Sequence, residues 1–257
     1  MSKFFTIKID CFIPGARQHN AAYTAGDLLF DWVEFEIPRG AAKVVGVTAL
    51  VRPKGDADPT PNNFPMSLMF GRAPAGGLTT SLGASNIVAF PEGYIIKHVV
   101  GSLEIGTADY MGPDTAVATS CLSVATSGTH HQGSIVLDPD LNTLYTGTNV
   151  GYDRWTVAGI ANGAFDFATI QRIDDGDIDT SSPGTTLVVD GTNKKPDEHF
   201  MVGDELITHG GAVIGTIASI TNDTTIVLES AIETGVLADD DFVYAKHPIT
   251  LYVHFEK

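Results

Sequence analysis

The sequence predicts an all-β fold, a jelly-roll-like β-sandwich interrupted by a small SH3-like β-barrel module, and three observations carry that expectation. Charged residues make up only 18% of the chain, while 27 Gly and 13 Pro accompany many Thr and Ser. That mixture favours short strands joined by turns over helices held by charged pairs. Segments with a two-residue apolar alternation recur between turn residues, as they do in sandwiches and barrels. Acidity is also concentrated: residues 172–245 contain 15 acidic and 3 basic residues, and so hold most of the net charge of −16.

In chain order, the strand-like segments of the first part are Phe4–Ile9, Leu29–Ile37, Lys43–Arg52, Met66–Phe70, Tyr94–Ile105, Ser134–Leu137, Arg154–Ile160 and Phe165–Arg172. Val33, Phe35 and Ile37 share one face of the second segment and Glu34 and Glu36 the other, which marks a sheet with one wet side. Thr115–Ala125 is the best helix candidate, although Val117, Thr119, Cys121 and Val124 suit a strand as well. Pro53–Asn63 and Ala73–Gly77 are too rich in Pro, Gly and Asn for regular structure. A loop as long as the first is a candidate partner contact.

The composition shifts at Arg172-Ile173-Asp174-Asp175, and the acidic region closes with Asp239-Asp240-Asp241. Within it, Thr185–Val189, Met201–Ile207, Ala212–Ile220, Thr225–Leu228 and Asp241–Ala245 read as five short strands, with turns at Gly210-Gly211 and Thr221–Thr224. After them Ile249, Leu251, Val253 and Phe255 alternate cleanly along Ile249–Glu256. A lone final strand is not stable in water, so this one must return to the first sheet, beside Phe4–Ile9. The expected organisation is a discontinuous sandwich of residues 1–171 plus 246–257, with residues 172–245 as an inserted acidic barrel.

With 15 basic against 31 acidic residues, the average surface repels phosphate backbones and anionic bilayers. Nucleic acid and membrane are therefore not expected partners. The first ten residues alternate and carry charge, unlike a secretory leader, and no run of about 18 apolar residues is present to span a bilayer. Cys11 and Cys121 are isolated, without Cys-x-x-Cys or Cys/His ligand spacing, and are expected to be buried free thiols.

The motifs for chemistry are weak. Gly-x-Ser-x-Gly and the Gly-rich phosphate-binding patterns do not occur, and His130-His131 lack a supporting frame for a nucleophile. Asp175, Asp177 and Asp179 alternate as calcium ligands do, but Thr180 stands where the loop needs glycine and no glutamate occupies the twelfth position. A solvated acidic linker is the expected reading there and at Asp239-Asp240-Asp241. His19, His98, His199, His209, His247 and His254 are scattered, without the spacing of a helical zinc pair. A carboxylate pair for glycoside hydrolysis leaves no local signature. The expectation is a non-enzymatic protein with no catalytic, cofactor-binding or metal-binding residues.

The stretch Val202-Gly203-Asp204-Glu205-Leu206, followed by Ile214–Ser230 with its Thr221-Asn222-Asp223-Thr224 turn, resembles a small β-module that recurs in virion proteins of tailed bacteriophages. The resemblance covers roughly residues 185–245, and its turn-and-hairpin motif is one that any small barrel could use. The first part is similar to such proteins only in style, in segments such as Asp153–Gly163. The resemblance implies a virion structural protein: a capsid decoration or cement protein, or else a neck or tail component. Its partners would be the major capsid protein or other virion proteins and copies of itself, with a homotrimer expected at a threefold position. It would be assembled in the host cytoplasm. The competing reading is a carbohydrate-binding, adhesin-like sandwich, with Tyr110, Tyr145, Tyr152 and Trp155 as stacking platforms, but aromatics are only 9% of the chain and mostly alternate into strands, which favours core packing for them.

Overall fold

A computed structural model describes residues 3–18, 22–52, 62–72, 81–83, 98–111, 117–121, 135–138, 151–165, 167, 184–189, 196–222, 224–238 and 241–257. The chain is nearly all β. Its strands are β1 (Phe4–Cys11), β2 (Leu28–Pro38), β3 (Ala42–Val51), β4 (Met66–Arg72), β5 (Val99–Ile105), β6 (Val117–Cys121), β7 (Ile135–Leu137) and β8 (Tyr152–Ala161). They continue with β9 (Thr186–Val188), β10 (Glu205–Thr208), β11 (Val213–Asn222), β12 (Thr225–Leu228), β13 (Val243–Ala245) and β14 (Ile249–Glu256). Among the described residues two short α-helices, α1 (Gly15–Gln18) and α2 (Pro196–His199), have no counterpart in the sequence reading.

Two sheets face each other. The first has the order β1-β14-β3-β6, with β7 also pairing β3, and the second β2-β8-β4-β5. β6 pairs the Gly46–Leu50 part of β3 and β7 its Ala42–Val44 part, so the two act as one interrupted strand. With β9–β13 set aside, the chain passes between the sheets in the order of a jelly roll. Inward residues of both sheets form one core: Val47, Leu251, Val253 and Phe255 from the first meet Phe35, Leu68, Phe70 and Trp155 from the second.

The outer face of the second sheet is covered as well, because Leu28, Met69 and Ala158 pack with Leu82. The Asp31 carboxylate holds that cover in place, accepting the Leu82 N–H at 2.9 Å and the Ser81 hydroxyl. This is why β8 departs from alternation and buries both of its faces over much of its length.

Strands β9–β13 form a separate sheet of order β13-β10-β11-β12-β9 around a second core, with Leu206, Ile217, Ile226 and Val243 at its centre. The long β11 serves both halves, with register shifts after Ile217 and Ile220 that bend it. No ladder joins β13 to β9 among the described residues, so the barrel-like module stays open along that seam. β14 then returns between β1 and β3.

Several elements differ from the sequence reading. Val117–Cys121 is strand rather than helix. Phe165 makes only an isolated bridge with Tyr23, although its ring stacks on Tyr23 and Phe64. The rest of Phe165–Arg172 lies outside the described residues, apart from Phe167. Residues 201–204 form a turn and not the start of a strand, because the Asp204 carboxylate accepts the Met201 N–H at 2.7 Å. No helix among the described residues is long and apolar enough to cross a membrane.

Candidate functional site

The module sits over the outer face of the first sheet, and a cleft of about 920 Å³ lies between them. Strand alternation places the sandwich side of this cleft: Lys8 and Asp10 of β1 and Thr250 and Tyr252 of β14 point to the face opposite the core, and Arg52 follows the end of β3. The module side is the turn that carries Met201, Val202 and Asp204, followed by Glu205 at the start of β10. Gly203 enters this turn with φ of 90°, a left-handed conformation that glycine adopts without strain.

Several of its charges meet in pairs. Arg52 donates to the Asp204 carboxylate across the junction. The Lys8 ammonium lies 2.9 Å from Asp10, whose other oxygen accepts the Thr250 hydroxyl at 2.9 Å, and Lys246 lies 2.6 Å from Glu205. Burial pushes the Asp204 carboxyl above its ordinary range, more than the Arg52 charge and the Met201 N–H pull it down. At Asp10 burial also acts upward, but the bonds from Lys8 and Thr250 outweigh it and hold the carboxyl low. Burial depresses His247, against the pull of the Asp10 charge.

Beside the cleft, α1 of the sandwich plugs into the module. The Gln18 amide donates to Ile13 O at 2.7 Å and to Ala245 O at 2.9 Å, and Ala16 N–H donates to His209 O at 2.9 Å. A Cβ on Gly15 would stand 2.5 Å from Thr208 O, so only glycine permits this approach. The arrangement can hold the module rigidly and present its outer turns. Met201 and Val202 are exposed apolar residues at the mouth of the cleft.

The residues weighed from sequence are not drawn together here. His130-His131, Asp175–Asp179, Asp239, Asp240, His19 and Tyr145 lie outside the described residues, as do residues 53–61 and 73–77 of the two loops. Asp241 caps its own turn, accepting the Ala238 N–H at 2.8 Å. His254 bridges the Thr6 and Thr48 hydroxyls at 2.9 and 3.1 Å. Core packing, the favoured reading of the aromatics, is what Trp155 and Tyr110 show: Trp155 is 0% exposed and Tyr110 7%, the latter donating to Phe64 O at 2.9 Å, while Tyr152 is 37% exposed. Trp155 sits on the doubly covered β8, and so no sugar ring reaches it. Cys11 is buried and free, and burial drives its thiol pKa well up; the Cys121 side chain is outside the described set. Among the described residues no group of three or more His, Cys, Asp or Glu could hold a metal ion.

Sequence reasoning missed the junction. A signal for it existed only in part, in the unexplained Gly15 after Pro14 and the turn residues around Gly203.

No protein-family model matches the chain, and no curated protein matches it. Among solved structures it is similar to that of infectious bursal disease virus, Gx strain, at 10% identity and a TM-score of 0.16, over 99% of this chain and 40% of that one. The chain thus spans less than half the length of the protein it matches, and a likeness of this grade carries no argument.

Proposed function

We propose that the chain is a non-enzymatic structural protein of a tailed-phage virion, a capsid decoration or cement protein that stabilises the shell through contacts with capsid and with copies of itself. The observation behind this reading is a jelly roll that carries a rigidly clamped, strongly acidic module on its outer face. Jelly rolls are used by capsid and lectin domains alike, and a fold by itself does not choose a function. The resemblance of residues 185–245 to a phage virion module tips the choice to the particle. The charge distribution agrees with it: the sandwich part is close to neutral and can be buried against a shell, while the acidic module faces solvent and keeps particles apart.

Standard protein interfaces bury about 1,600 Å² in total, and exposed Phe12, Met111 and Val136 supply apolar anchors on the sandwich. The test is co-sedimentation of the purified chain with empty capsids and, separately, with isolated tails. Pelleting with shells supports decoration, and pelleting with tails alone moves the protein to the neck or tail. A chain that ignores both and binds glycans would be an adhesin-like sandwich. That alternative has lost Trp155 and Tyr110 as platforms.

A further inference from the structure

Among the described residues, the outer edge of β1 leaves hydrogen-bonding capacity unused. Among the described residues β1 has β14 as its one strand neighbour. Lys3 and Lys257 exchange both backbone hydrogen bonds, at 3.0 and 2.8 Å, and the register runs without a shift from Phe4↔Glu256 to Cys11↔Ile249. Hydrogen-bonded and non-hydrogen-bonded pairs alternate in such a ladder. Odd-numbered residues therefore turn their N–H and C=O toward β14, and Phe4, Thr6, Lys8 and Asp10 turn theirs outward. A row of this kind is a template for another strand.

Burial along the strand shows which part of the edge is open. Ile9 and Cys11 are buried, whereas Phe5 and Ile7 pack against the main core yet stay only half-buried, and Phe4 is 70% exposed. Beyond Cys11 the chain turns into α1, which is bonded to the docked module through Ala16 and Gln18. The opening thus spans Phe4–Lys8, with Thr6 at its centre.

We propose that β1 pairs antiparallel with β1 of a second copy across a twofold axis at Thr6, merging the two first sheets into one. The two Thr6 residues then form the central hydrogen-bonded pair, each Phe4 lies opposite Lys8 of the other copy, and each Phe5 opposite Ile7. The edge is self-complementary, as a twofold contact requires. Its cross-strand pairs are the favourable Thr–Thr and aromatic–β-branched kinds, and they cover the core residues that the monomer leaves half-buried. Both modules fall on the same face of the merged sheet, with the two Asp10 residues about 26 Å apart along the ladder. A register centred on Ile9 would crowd the acidic modules together. The contact is twofold, unlike the threefold ring expected from shell symmetry, and it does not depend on the virion reading.

Light scattering across a dilution series tests the pairing on the full chain. The molar mass should rise from 27.2 kDa toward twice that value with concentration. Thr6→Pro removes both central N–H donors while remaining compatible with an edge strand, and should weaken association at least tenfold. Thr6→Ala loses the hydroxyl contact with His254 and the Thr–Thr side-chain pair but keeps its amide, and should weaken association far less than Thr6→Pro. Hydrogen exchange on the wild type needs no variant: the Thr6 and Lys8 amides should slow as concentration rises, while that of Ile7 stays protected throughout. Four results would overturn the proposal: a monomer at every concentration, a trimer, a Thr6→Pro chain that associates normally, or Thr6 and Lys8 protection that ignores concentration.

Discussion

Gly15 shows how much one position decides. Its hydrogen lies where any Cβ would press on the Thr208 carbonyl, a backbone atom that cannot swing aside. Gly15→Ala should therefore cost about 1–3 kcal/mol, the usual range for overpacking, and should separate the melting of the two cores into two steps in calorimetry. A single transition at the wild-type temperature would show that the close approach does not hold the junction. Asp10 and Asp204 respond to pH in opposite directions. The lowered carboxyl of Asp10 contributes stability that is present above its ordinary value of 3.8 and is lost as pH falls below it. Asp204 is raised, so its contribution is present below 3.8 and is lost as pH rises through its folded value. Asp10→Asn should flatten the acid limb of stability in urea titrations, and Asp204→Asn should not. Equal acid limbs in the two variants would contradict these assignments.

At the scale of elements, β14 is the strand on which the sandwich depends. It lies between β1 and β3 along its whole length, and Ile249, Leu251, Val253 and Phe255 are fully buried. Leu251→Ala should cost about 2–5 kcal/mol by leaving a cavity in a packed core, measured by urea unfolding. Removal of residues 249–257 should abolish folding of the sandwich, seen as loss of the near-ultraviolet circular dichroism of Trp155. A truncated chain that keeps that signal would mean that β1 and β3 can close the sheet without β14. The alternation of Ile249–Glu256 made this strand readable in advance, and the instability of a lone strand required its return. The alternation failed at β8 because the second sheet is covered on both faces: Leu82 and its neighbours bury Ala158 from outside while the main core buries Trp155 and Val157 from inside. A strand wet on one face announces itself, and one dry on both does not.

For the whole molecule, three tyrosines tie alkaline stability to packing. Burial raises Tyr110 to about 12 and lifts Tyr23 and Tyr244 higher still. Groups raised in the folded state stabilise it below their ordinary value of 10.0 and lose that contribution as pH climbs through the folded value. Ionisation of these side chains, followed by tyrosinate absorbance, should coincide with loss of β-sheet circular dichroism rather than precede it. A full tyrosinate signal near pH 10.0 with the sheet intact would show that they are exposed. Composition and alternation were enough to predict an all-β sandwich and the returning strand, because each rests on local periodicity or on residue counts. The tertiary structure alone decided the junction. Arg52 and Asp204, Gly15 and Thr208, and Gln18 and Ala245 are far apart in sequence, and such pairings leave no periodic trace. They arise only when two independently patterned cores are pressed together.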